Sequence, residues 1–264
     1  MSSIDRAKMP KGTSVILDAR SLENSYATII PSIKPGMRIL DVGCGTGAIT
    51  AGLAKATGPT GTAVGIDSSD HLIAKGQSDH ADITNLQLLR ADLFQYEPVE
   101  KFDLIVSARV LQWLGNPYEA LLKFKSLLAP GGKVSVLDYN HVALEWQPSP
   151  PQSMRQFYQA FLQWRADAGM DNEIALHLPE LFRKAGFRDV VSLPADEVYT
   201  RGAENFTAKV RIWSVVAESR GQQMVESGYV TEEERLTAID EYDAWIAASA
   251  QQMIMKLTDV QGVL

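Results

Sequence analysis

The 264 residues carry 25 Lys and Arg against 32 Asp and Glu, a formal charge of −7, with 45 % hydrophobic and 22 % charged residues. This is the composition of a soluble globular chain with ample material for a core. Its acidic balance works against nucleic acid and anionic membranes as partners and favours a small molecule. No apolar run approaches the ~20 residues that span a bilayer, and the start MSSIDRAKMPKG lacks a signal peptide's apolar stretch. Cys44 is the single cysteine, so no internal disulfide can form. Together these features predict a cytoplasmic protein. The four histidines, His71, His80, His141 and His177, show no metal-ligand spacing, and no metal site is expected.

From Met37 to about Asn140 strand and helix patterns alternate. RILDV reads as a first strand, Thr46 to Thr57 as a helix ending near Gly58-Pro59, TAVGID as a second strand and Asp70 to Ala81 as a second helix. LQLLRAD is a third strand, and FDLIVSA a fourth with the continuous apolar run of a strand buried on both faces. Pro117 opens a helix that Pro130-Gly131-Gly132 closes, and KVSVLDYN is the fifth strand. The alternation predicts an α/β fold with a doubly wound, mostly parallel Rossmann-like sheet.

After Asn140 the pattern changes. Gln147-Pro148-Ser149-Pro150-Pro151 reads as an extended connector. Met154, Phe157, Tyr158, Phe161 and Leu162 follow the spacing of an amphipathic helix. A short helix ending at Ala185-Gly186 leads to a sixth strand near Phe187 to Leu193, and Glu197 to Thr200 can be strand or loop. The remainder reads as helical. One stripe contains Phe206, Val210, Trp213, Ala217 and Met224, and a second, opened by a Thr231/Glu234 capping box, runs from Leu236 through Ile246 to Met253 and Leu257. The resulting division is an N-terminal helical cap (1–35), a cofactor-binding core (36–140), a connector with helix and final strand or strands (141–200) and a C-terminal helical lid (201–264).

The glycine loop sets the chemistry. Dinucleotide folds use G-x-G-x-x-G against a pyrophosphate. Here Gly43, Gly45 and Gly47 are spaced G-x-G-x-G, with Asp41 two positions earlier. A carboxylate at that place repels pyrophosphate and suits a ligand bearing an ammonium group, although Asp41 can equally brace the loop. Asp67, with Ser68 beside it, ends the second strand in register with the loop and can accept from both ribose hydroxyls, or cap the following helix. Asp92 can accept from an adenine amino group while Leu93 covers the ring, and the fourth strand ends at Ala108-Arg109. Strand ends of this kind line the ligand crevice of open α/β sheets.

ILDVGCGTG, VGID, ADLF, FDLIVSARVLQWL and LAPGGKVSVLD resemble the ordered motifs of class I S-adenosylmethionine-dependent methyltransferases over about residues 36–140. The resemblance implies strand order 3-2-1-4-5-7-6, with the cofactor across the first strand ends. It places Gly43, Cys44 and Gly45 against the methionine portion, Asp67 on the ribose, Asp92 and Leu93 at the adenine, and Ala108 with Arg109 beside the sulfonium. The flanks resemble the ubiquinone/menaquinone-type small-molecule methyltransferases, in which an R-x-x-x-N-S helix, here Arg20 to Ser25, covers the site. Trp113 stands where many of those relatives have histidine, so no histidine-based role carries over to it.

Arg20 and Asn24, four apart, would share one helix face and reach the cofactor carboxylate or only solvent, and Tyr26 is a further aromatic candidate. Trp146, Trp113 and Trp213 are the aromatic candidates for substrate contact. His141 and Tyr139 are the candidate bases, should the acceptor need one. A methyltransferase acting on protein or nucleic acid, and a non-catalytic S-adenosylmethionine-binding module, are the competing readings.

Overall fold

A computed structural model describes Arg6 and residues 20–264; the rest of the expected N-terminal cap, 1–5 and 7–19, lies outside the described residues. In chain order the described elements begin with α1 (Leu22–Ser25), β1 (Arg38–Val42), α2 (Ala48–Thr57), β2 (Thr62–Asp67), α3 (Asp70–Asp79) and β3 (Leu86–Arg90). There follow β4 (Phe102–Ala108), α4 (Pro117–Leu127), β5 (Leu128–Gln147), α5 (Gln152–Ala166), α6 (Ile174–Lys184), β6 (Arg188–Pro194) and β7 (Glu197–Thr200). The chain closes with α7 (Phe206–Val210), α8 (Ile212–Glu226), α9 (Glu232–Ala248) and β8 (Gln252–Val263).

The sheet runs β3-β2-β1-β4-β5-β8-β6, with β7 added on β8. The pairs from β3 to β5 are parallel, whereas β8 is antiparallel to β5, β6 and β7. Alternation along the central strands buries both faces. Ile39, Leu104 and Val106 join a core with Leu53 of α2 and with Phe157, Trp213 and Tyr242 of the C-terminal helices. Leu40, Val42 and Ile105 join a second core with Phe124 of α4 and Phe182 of α6.

Two expectations are corrected. The tail is not helical throughout: α9 stops at Ala248, and Met253 and Leu257, expected on its stripe, lie in β8. Residues four apart share a face in a helix and in a strand alike, so that pair did not discriminate. The burial of Met253, Met255 and Leu257 against half-exposed Ile254, Lys256 and Thr258 has a strand's period of two. β8 therefore fills the seventh place of the order implied by the resemblance, and Glu197–Thr200 is an additional strand. Second, β5 continues to Gln147, so Trp146 belongs to the strand end, opposite Met253, and the Pro-rich connector begins after it.

Leu257→Ala, which opens a hole under the sheet, is expected to lower unfolding free energy by about 2–5 kcal/mol in urea titration. Lys256→Ala, which removes only surface ion pairs to Glu145 and Asp196, is expected to cost at most about 1 kcal/mol. Met255→Ala is expected to cost a similar amount, whereas a helical tail would put Met255 off the buried face of Met253 and Leu257 and make that change nearly silent.

Candidate functional site

The loop between β1 and α2 takes a shape only glycine accepts. Gly43, Gly45 and Gly47 have φ of 73°, 58° and 77°. A Cβ on Gly47 would stand 2.7 Å from Leu88 Cδ1, and one on Gly43 would overlap the Val110 side chain. The backbone is thereby folded tightly over the sheet and leaves a crevice lined by Arg20, Asp41, Gly43, Cys44, Gly45 and Ala108. Ala48 and Ile49 of the first turn of α2 complete the wall; nothing in their residue types marked them in the sequence.

Asp41 is buried and accepts from Thr50 Oγ1 at 2.6 Å. Burial, and then the Asp67 charge acting against the help from Thr50, push its carboxyl up to about 7. Asp67 accepts from Gly45 N at 3.0 Å and Ser69 N at 2.9 Å. It braces the loop and the start of α3 together, and its carboxylate retains unused lone pairs, although Asp67 itself is not among the residues lining the crevice. The helix-side donor is Ser69, whereas the Ser68 side chain makes no hydrogen bond among the described residues. At the end of β3, Asp92 accepts from Phe94 N at 2.7 Å and caps the short 3-10 helix Leu93–Gln95.

The N-terminal segment differs from expectation. Ser21 caps α1, and the Asn24 side chain turns back to accept from Ser21 N at 2.8 Å. Arg20 therefore precedes the helix rather than sharing a face with Asn24, and Arg20 alone of the two lines the crevice. Tyr26 faces the sheet interior instead, its hydroxyl 2.8 Å from Ser135 Oγ within a buried chain to Asp259.

Arg109 ends β4 in the left-handed region, φ 63°. Its guanidinium donates to Tyr139 Oη (3.1 Å), to the Ser25 carbonyl (3.1 Å) and to Glu197 Oε1 (2.5 Å). Burial opposes its charge, but Glu197 outweighs that and holds the guanidinium above its ordinary pKa. Burial and then Glu197 push the Tyr139 phenol up to about 12. Glu197 escaped the sequence reading; its signal was an acid and a tyrosine, Glu197 and Tyr199, on the inward face of a strand whose valine points out.

Beyond Arg109, Gln112 is bonded to His141 and Arg165, beside the candidate tryptophans. Its amide nitrogen donates to the Arg109 carbonyl, which leaves Oε1 as acceptor for His141 Nε2 at 2.6 Å. This fixes the His141 tautomer with the proton on Nε2. Burial, followed by the charge of Arg165, lowers its pKa well below the ordinary value, so the ring is neutral. The three candidate tryptophans meet around Phe161: Trp113 at 6.5 Å and Trp213 at 5.9 Å between centroids, with Trp146 6.5 Å from Trp213. Trp146 Nε1 donates to Tyr242 Oη at 2.9 Å and so ties β5 to α9.

A glycine loop after the first strand, acids at the next two strand ends and an antiparallel seventh-place strand describe the architecture of the class I methyltransferases. A family model described as a methyltransferase domain matches residues 33–186, and the chain belongs to that family. It is similar to a demethylmenaquinone methyltransferase of Staphylococcus aureus, 34 % identical over 114 residues, or 42 % of this chain and 47 % of the relative. The match thus covers about half of that relative's length. In fold it is similar to a phosphoethanolamine N-methyltransferase of Haemonchus contortus, solved with S-adenosylhomocysteine (TM-score 0.54, 17 % identity, 97 % of this chain and 53 % of that one). It is also similar to the YcgJ protein of Bacillus subtilis (TM-score 0.54, 14 % identity, 90 % and 96 % covered).

The raised pKa of Asp41 means that the folded chain keeps a proton the unfolded chain releases near pH 4. Stability of the free protein is therefore expected to fall as pH rises from about 4 to about 7. Asp41→Asn is expected to remove much of that slope in denaturation measured at several pH values. A remainder belongs to Asp138, which burial pushes up to about 6.

Proposed function

We propose that the chain transfers a methyl group from S-adenosylmethionine to a small-molecule acceptor by in-line displacement. The observation that carries this reading is that an acid, Asp41, and a guanidinium, Arg20, line one crevice with the glycine-loop backbone. A carboxylate and a guanidinium around bare backbone complement the ammonium and carboxylate of an amino-acid end, and Asp67 offers a ribose its free lone pairs. The residues present fit the cofactor. Bound there, S-adenosylmethionine supplies an electrophilic methyl group on a sulfonium.

In this reading Gly43, Cys44 and Gly45 hold the methionine portion, Asp67 the ribose hydroxyls, Asp92 and Leu93 the adenine, and Ala108 lies beside the sulfur. Arg20 takes the carboxylate. Arg109, held by Glu197, Tyr139 and the Ser25 carbonyl through Nε and Nη2, positions the strand end, and only its buried Nη1 is without a partner among the described residues. The aromatic residues between β5, α5 and α8 receive the acceptor under the C-terminal helices.

Neither candidate base is suited to take a proton at neutral pH. The basicity of His141 is suppressed by burial and by Arg165, while the Tyr139 phenol is held protonated. The chain's contribution is then orientation and exclusion of water, which together can supply on the order of 7–11 kcal/mol. That suits an acceptor whose nucleophile is ionised or has a free lone pair: a thiolate, a phenolate or an amine. The relative acting on demethylmenaquinone and the acidic net charge support a small acceptor over protein or nucleic acid, and a cytoplasmic setting accords with the single cysteine.

Calorimetry is expected to show S-adenosylmethionine and S-adenosylhomocysteine binding, with Asp67→Ala weakening both several-fold. Arg20→Ala is expected to weaken both by on the order of tenfold, the worth of a charge-assisted hydrogen bond. Preference for NADH over S-adenosylmethionine would overturn the reading.

A further inference from the structure

The least explained charge in the molecule is Arg165. It lies on α5 with 0 % of its surface exposed, and it forms no ion pair with a carboxylate among the described residues. Nε donates to Asn172 Oδ1 and Nη2 to the Gln112 carbonyl, both at 2.8 Å. Nη1 is buried with no partner. The guanidinium lies over the rings of Trp113 (4.6 Å) and Phe161 (5.5 Å). A second buried guanidinium, Arg220 of α8, lies 4.3 Å from the centroid of the same indole. The nearby acids form no ion pair with it: Asp138 accepts two backbone N–H groups, and Asp171 is paired with His177.

A second unpartnered donor belongs to a side chain that packs on the same Phe161 ring. Trp213 is 2 % exposed, and its Nε1 has no acceptor. Its ring packs on Phe161, as the Arg165 guanidinium does, and on His141 at 6.2 Å. Through Gln112 this corner is one residue away from Arg109 and the strand end beside the crevice. A buried cation satisfied only by neutral acceptors costs several kcal/mol, and a buried donor left unmade adds to that. Packing alone would be served better by methionine or leucine.

We propose that the free Nη1 of Arg165 and the indole N–H of Trp213 receive an oxyanion on the methyl acceptor, so that the substrate is a planar, ring-bearing acid. The inference rests on the small-molecule methyltransferase reading and narrows its substrate class. The anion supplies the counter-charge that the lid lacks, and the surrounding aromatic faces hold the ring.

The test is calorimetric titration of the full chain, with and without S-adenosylhomocysteine, using 4-hydroxybenzoate, 4-hydroxycinnamate, phenyl phosphate and the neutral 4-hydroxybenzamide. An anion is expected to bind at least tenfold more tightly than the amide, and whether carboxylate or phosphate leads identifies the oxyanion. Trp213→Phe, which keeps the ring and removes the donor, is expected to weaken the anion several-fold and leave the amide unchanged. Arg165→Gln is expected to abolish the preference. Equal binding of anion and amide by the wild type, or by Trp213→Phe an undiminished preference, overturns the proposal. Failure of S-adenosylhomocysteine to bind counts instead against the crevice reading, because the anion preference is read in its absence as well.

Discussion

The buried ion pair between Arg109 and Glu197 is the constraint on which the site depends. One guanidinium joins four segments that are far apart in sequence: the end of β4, the carbonyl at the end of α1, Tyr139 on β5 and the first residue of β7. Without its acid the cation would be buried uncompensated, a loss of about 3–5 kcal/mol for pairs of this kind. With it, the residue that follows Ala108 of the crevice is tied to α1, β5 and β7 at once. The left-handed backbone at Arg109 follows from the same requirement, because the side chain must leave the strand toward Glu197 rather than continue its alternation.

Around that pair the crevice and the C-terminal helices bury different charges. Beside the glycine loop, Asp41 and Asp67 are held by a hydroxyl and by backbone N–H groups, and burial raises the pKa of both. Under the C-terminal helices Arg165 donates to the carbonyl oxygens of Asn172 and Gln112, and Arg165 and Arg220 both lie over the Trp113 ring. His141, bonded to Gln112 and packed on Trp213, stays neutral.

The parts of the fold legible in the sequence were those with a strong local signature. The alternating core, the glycine loop and the strand-end acids each carry a motif whose chemistry is contained in a few consecutive residues. β8 was illegible because Met253 and Leu257 satisfy both periodicities, and the alternation at Ile254, Lys256 and Thr258 needed to be weighed against a long preceding helical stripe. Arg165 and Arg220 were missed for the opposite reason, although a signal existed. Arg165 is four residues after Phe161 and seven after Tyr158, and Arg220 is three after Ala217 and four before Met224, so both interrupt apolar stripes that were otherwise read as core. A charged residue on the buried face of a helix is a statement about what lies opposite it. Glu197 could be interpreted only once Arg109 was seen across from it, since nothing local distinguishes a paired acid from a surface one.

The place of β8 has a consequence for how the molecule is assembled. It lies between β5 and β6, yet it follows both of them in the chain, with three helices intervening after β7. During synthesis β5 emerges with one edge joined to β4 and the other bare, and β6 has no sheet to join, until residues 252–263 arrive. The lid helices α8 and α9 are made in that interval and pack on the same core as β5, so they can shield the apolar face while the edge itself waits. The sheet is completed like a keystone course, from the inside and late. An unpaired central edge is exposed to pairing with other chains for as long as that takes, which makes the delivery of one strand the step that separates productive folding from association.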